Sequence, residues 1–284
     1  VISTTVRLPR QVREYRLARR REKARTTLLE ALHEYFAGRY GRAEKAAASS
    51  LELSEHAGLS AVLAARAAHE LRALERRDAY LARAAAAASG DEVVRIVTEA
   101  ELLLDEHRFQ EALNLLQQLP RKHTAALRLE LKAHQQARNW EQVLALTAQL
   151  EKRNVFDAMQ AAQIRRYAHA ENLKRKALDS RALEEAWQKV PPNERTDHRV
   201  AAAAAQCFIA LGGCAQAHRI IEDALEANWD SELVGLYAEC EAGDTLKRIE
   251  RAAYFFQTID TRGAEEPATG GQQLVDLGIA RGIG

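Results

Sequence analysis

The chain has 284 residues, with 41 Lys and Arg against 40 Asp and Glu, five Pro, fourteen Gly and three Cys. An apolar content of 47% with a net charge of +1 excludes a disordered chain, and scarce Pro and Gly with few aromatics exclude a β-sandwich or a collagen-like strand. Ala, Leu, Arg, Glu and Gln dominate, as in a mostly helical chain, and the length suits two domains or one elongated array.

The first elements are basic. Between Arg7 and Arg25 stand nine basic residues and two acidic ones, Glu14 and Glu22. Such a run is a solvated helix face, a nucleic-acid contact or a cytoplasmic segment beside a membrane. Nucleic acid is disfavoured because Tyr15 is the one aromatic nearby that could stack on a base. A Lys/Arg excess following a membrane helix marks the side that stays inside, and the one Met, Met159, implies that the natural start lies upstream of Val1.

From Arg25 a repeat emerges. GRYGRAEKAAASSLEL at Gly38–Leu53, HRFQEALNLLQQL at His107–Leu119 and NWEQVLALTAQL at Asn139–Leu150 each set an aromatic three residues before a small residue that opens an amphipathic stretch. GGCAQAHRIIEDALEA at Gly212–Ala227 repeats the pattern with Cys214 in the aromatic place, and degenerate copies surround Ala79 and Ala186. The small positions Ala43, Ala79, Ala112, Val143, Ala186 and Ala217 are spaced by 36, 33, 31, 43 and 31 residues. A period of about 34 with a helical hairpin per unit is that of tetratricopeptide-like repeats.

The expected fold is therefore all-α, a right-handed superhelix of about seven tetratricopeptide-like hairpins. The expected division is a basic N-terminal helix at 1–23, a repeat solenoid at 24–253 and an irregular Gly-rich tail at 254–284. The 43-residue interval implies longer helices or an insert, and Pro191-Pro192-Asn193 ends a helix. Ala201–Ala205 suits close helix packing.

Motifs for catalysis are missing from the sequence: it has no GxSxG, P-loop, GxGxxG or HExxH. The three cysteines, Cys207, Cys214 and Cys240, suggest neither a disulfide framework nor a zinc site. Of nine histidines, His134 shares an apolar stripe with Leu127 and Leu131, a setting more typical of a core histidine than of a ligand. His169 stands among Arg165, Arg166, Lys174 and Arg175, a setting more typical of a solvated face, though an anionic ligand requiring an axial nitrogen could be held there. Solenoids of this kind bind along the concave surface of their first helices, which makes Glu101, Asp105, Arg128, Lys132 and Gln135 the candidate partner contacts.

The segment LPRQVREYRLARRREKARTTLLEALHEYFAGRYGRAEKAAASSLE at Leu8–Glu52 resembles the start of the soluble domain of the HemY family of proteobacteria. RFQEALNLLQQLPRKH at Arg108–His123, KVPPNERTDHRVAAAAAQ at Lys189–Gln206 and ALEANWDSELVGLYAE at Ala224–Glu239 resemble it too, and the resemblance runs from about Leu8 to Arg251. It implies an inner-membrane protein with two N-terminal membrane helices, a cytoplasmic repeat domain and no characteristic active-site motif. It also implies a role in late protohaem synthesis, as a non-enzymatic scaffold gathering its enzymes or as a carrier of tetrapyrroles. Haem, if carried, would take His134, His169 or His198 as axial ligand beside Arg165, Arg166 or Arg175. A third alternative is a repeat adaptor of envelope assembly. The flavin-dependent protoporphyrinogen oxidases that share the family name are a different group, since a dinucleotide-binding fingerprint is lacking. After Arg251 the sequence departs from the family, which continues with further repeats.

Overall fold

A computed structural model describes residues 2–53, 56–87, 92–239 and 254, with side chains from Val12 onward. All described regular structure is helical, and the chain divides into two compact units, Val1–Ala133 and His134–Gly284. Apart from Tyr254, the expected tail lies outside the described residues.

The first unit comprises the hairpins α1 (Ile2–Phe36) with α2 (Tyr40–Leu53), α3 (Ala57–Glu70) with α4 (Leu74–Ala86), and α5 (Glu92–Asp105) with α6 (Phe109–Leu116). Then comes α7 (Thr124–Gln136), in which the boundary between the units falls. The second unit holds α8 (Trp140–Lys152), α9 (Ala158–Lys176), α10 (Ser180–Gln188), the single turn α11 (Pro192–Arg195), α12 (His198–Ala210), α13 (Cys214–Ala227) and α14 (Ser231–Glu239).

One turn joins five of the hairpins. Gly38, Arg72, His107, Arg138 and Gly212 all adopt a left-handed backbone, with φ from 56° to 77°. The amide of the next residue then reaches back five residues: Arg39 to Glu34, Ala73 to Ala68, Arg108 to Leu103, Asn139 to His134 and Gly213 to Phe208, at 2.7–2.9 Å. This Schellman closure satisfies carbonyls that the helix end would otherwise leave bare. At α9 and α10 the turn is different, and Asp179 caps α10 by accepting from the Arg181 amide at 2.9 Å.

These turns fix the repeat register and correct two positions of the sequence reading. Five residues after each left-handed residue stand Ala43, Arg77, Ala112, Val143 and Ala217, all buried. Ala79 is exposed, so the inward position of the second hairpin belongs to Arg77. In the fifth hairpin Leu183, fully buried on the fourth residue of α10, takes the place assigned to Ala186. The intervals become 34, 35, 31, 40 and 34, closer to one period. The long one contains α9, which at 19 residues exceeds its neighbours and starts with a capping box between Asp157 and Gln160.

Packing follows the pattern of apolar positions. Leu28, Ala31, Ala47, Leu63 and Ala64 join α1, α2 and α3, while Ile96, Leu104, Ala112, Leu116 and Ala133 form the core of α5, α6 and α7. In the second unit, Ala201–Ala205 are all buried on α12, whose small side chains let α9 and α13 approach it closely. Cys207 is a free thiol in that core, and burial raises its pKa above the ordinary cysteine range. Cys214 is disulfide-bonded, which the spacing of the cysteines did not suggest.

Candidate functional site

The face of the first unit made by α3, α5 and α7 carries a row of charges. Arg66 on α3 pairs with Glu101 on α5, and Asp105, one turn further along α5, receives Lys132 of α7 at 3.4 Å. Four of the five residues expected to contact partners therefore belong to this row or stand beside it: Glu101, Asp105 and Lys132 are paired, and Arg128 is exposed one turn before Lys132. Gln135 is half-buried at the end of α7, its carbonyl accepting from the Arg138 amide. Sequence reasoning missed Tyr35 of α1, whose hydroxyl feels Arg66, Glu70 and Asp105; burial raises its pKa, Arg66 works against that and the two carboxylates reinforce it.

The same unit holds a polar knot around the buried Arg77. Arg77 donates from Nε to Asp78 at 2.8 Å, pairs with Glu106 and lies 3.3 Å from His69 Nδ1. Since arginine only donates, that nitrogen of His69 is the acceptor. Burial alone would raise the Glu106 carboxyl, but hydrogen bonds from Arg77 and Arg108 outweigh it and hold the group below the usual carboxylate range.

The second unit has a comparable knot around the Val-Pro-Pro segment. Pro191 and Pro192 start α11, and Glu194 on it turns inward, 2% exposed. Arg165 of α9 donates from Nε to Glu194 at 2.7 Å and from a terminal amine to Glu151 at 2.6 Å. Arg166 pairs with Asp197, which also caps α12. Arg195 donates to the Val190 and Gln188 carbonyls and lies over the Trp187 ring, fastening the other side of the segment.

His169 is brought into this knot, its Nε2 3.5 Å from Glu194 Oε2. Burial lowers its pKa, Glu194 partly opposes the shift and Arg165 adds to it. It also lines a cavity of about 390 Å³ whose charged lining is Glu141, Lys176, Glu185 and Lys189. The other candidates stand apart from it: His198 is exposed on the first turn of α12, and His134 is half-buried on the last turn of α7. Arg175 donates to the Arg138 carbonyl at 2.5 Å. Among the described residues no group of three or more His, Cys, Asp or Glu could hold a metal ion, and no helix is long and apolar enough to cross a membrane.

Helical hairpins closed by one recurring turn define a tetratricopeptide-like repeat protein. Residues 1–72 match the family described as HemY protein N-terminus. Protein HemY of Escherichia coli K12 is 26% identical over 225 residues, which are 77% of this chain and 56% of that protein, and Protein HemY of Shigella flexneri matches to the same extent. The chain thus spans little more than half the length of these relatives. A solved tetratricopeptide repeat protein of Parabacteroides merdae aligns over 93% of this chain and 100% of its own, at 16% identity and a TM-score of 0.41. In its N-terminal region the chain thus matches the HemY family, and beyond that region it is similar to these relatives.

Proposed function

We propose that the chain is the repeat domain of a non-enzymatic scaffold of protohaem biosynthesis at the bacterial inner membrane. Its partners are proteins, with the enzymes of late haem synthesis as the first class to test. The observation that carries this reading is the charged row from Arg66 to Lys132. Its pairs are partly exposed, and such pairs add little to stability, so a partner's charges can replace them at small cost. The match of residues 1–72 to the HemY family supports the link to haem, and the basic segment Arg7–Arg25 supports attachment on the cytoplasmic side, next to membrane helices of the kind the family resemblance implies.

Co-purification tests it. Reversing Arg128 and Lys132 to Glu removes the enzymes of late haem synthesis from the captured set while the helical circular dichroism stays unchanged. Unchanged capture overturns the assignment of this face.

A carrier of haem or porphyrin is the second reading, favoured by the position of His169 at a cavity wall. Ligation there would take the ring from Glu194 and lay a largely apolar macrocycle against four charged side chains, so the scaffold is preferred. A haemin titration decides the point: a saturable Soret shift abolished by His169→Ala supports the carrier, and no shift beyond that of an inert protein removes it.

A further inference from the structure

The stretch Val12–Lys23 of α1 buries no side chain. Every residue from Val12 to Lys23 is exposed, and the next residue, Ala24, is buried. Arg13, Arg16, Arg20 and Lys23 follow one another at intervals of three, four and three residues, which places them on one helical face. The row is about 15 Å long at the rise of an α-helix. Arg19 borders it, while Glu14 and Glu22 fall on the far side, about 140° round the helix from its middle. Arg20 also donates to the Glu52 carbonyl at the end of α2 at 3.2 Å.

A cationic row without acidic neighbours on its own face is a surface for anions spaced along a line. Three exposed apolar side chains narrow the choice: Val12 (43% exposed) and Leu17 (49%) flank the row, and Tyr15 (67%) stands further round. Charge in the middle and apolar groups at the edges suit the headgroup layer of a membrane, where phosphates meet the cations and apolar side chains enter the acyl boundary. Nucleic acid satisfies only the first of these features.

We propose that Arg13, Arg16, Arg20 and Lys23 form a docking surface for the phosphate headgroups of anionic lipid, which holds the start of the repeat array at the bilayer surface. The proposal deepens the reading of the basic segment as lying beside a membrane and rests on it. Each basic residue near such a surface strengthens binding on the order of fivefold.

The test is sedimentation of the 284-residue chain with vesicles of phosphatidylcholine alone or mixed with phosphatidylglycerol. Binding is expected to require phosphatidylglycerol and to weaken with salt. The variant R13Q/R16Q/R20Q/K23Q is expected to bind on the order of several hundredfold more weakly with unchanged helical circular dichroism, since its substitutions are all exposed. Equal binding to both vesicles, undiminished binding by the variant, or displacement from phosphatidylglycerol by RNA at equal salt each overturn it. Fractionation of cells separates the two claims: a chain that partitions with membranes yet ignores phosphatidylglycerol loses the docking surface alone, and one that does neither loses both.

Discussion

Arg165 Nε donates to Glu194 Oε1 across 2.7 Å, joining α9 to a one-turn helix 29 residues further along the chain. Glu194 is 2% exposed, and its other oxygen, Oε2, receives no hydrogen bond. Arg165 is therefore the main compensation for a charge held out of water. Burial alone would lower the guanidinium pKa, but Glu194 and Glu151 outweigh it and raise it, as expected for an arginine held charged by its partners.

Replacing Arg165 by Met should cost about 3 kcal/mol, the usual penalty when one partner of a buried ion pair is removed and the other stays charged. Urea denaturation reads the loss. The double variant R165M/E194Q should recover more than half of it, because the stranded charge is gone. Equal losses in the single and double variants would mean that Arg165 acts by packing alone.

His169 gives the second unit a pH dependence of definite sign. Its folded-state pKa is depressed, chiefly by burial, so the unfolded chain takes up the proton first. Its contribution is whole above the ordinary histidine value of about 6.5 and is lost as pH falls toward the lower folded value, below which both states are charged. Denaturation at a series of pH values should show stability declining as pH falls below about 6.5 and a flatter profile for His169→Asn. A variant profile parallel to the parent's would assign the decline to other groups.

How much of this was legible in the sequence depended on the distance to the compensating partner. The hairpins at Tyr40/Ala43, Phe109/Ala112 and Trp140/Val143 could be read because an aromatic and a small residue stand within one helical turn of each other. Arg77 could not, because an arginine is tolerated in an inward position only with a partner, and Glu106 lies 29 residues away. The fifth register slipped for a related reason: its turn lacks the left-handed residue, and Leu178 stands 95% exposed where the other hairpins place it. Arg165 and Arg166 read as cations around His169, whereas the acids they hold, Glu194 and Asp197, come from the far side of the Pro-Pro break. The charged row on α3, α5 and α7 was half legible: candidates on α5 and α7 follow from helix order, but Tyr35 and Arg66 enter only through packing.

Arg77 is the test of the corrected register. If it fills the inward position of the second hairpin, Arg77→Ala should destabilise by about 2–4 kcal/mol by leaving Glu106 and the accepting nitrogen of His69 without their donor. Ala79→Ser, on the exposed side of the same helix, should stay within about 0.5 kcal/mol. Thermal denaturation of the two variants distinguishes the registers, since the reverse ranking would restore Ala79 to the inward position.

The recurring turn also marks where stability can be added. Gly38 and Gly212 occupy the left-handed position in their hairpins without strain, while Arg72 occupies it at φ 58°. A side chain there costs about 1–2 kcal/mol, and glycine gives back about 0.5–1 kcal/mol through the greater freedom of the unfolded chain. Arg72→Gly should therefore stabilise by about 0.5–1 kcal/mol, whereas Gly38→Ala should destabilise by about 1 kcal/mol, even though an added Cβ at Gly38 would meet nothing within 4 Å. The opposite signs isolate backbone conformation as the cause, because neither change fills or empties a packed space. Chemical denaturation of both variants measures it, and a loss of stability in Arg72→Gly would show that the arginine contributes through its side chain more than its backbone costs.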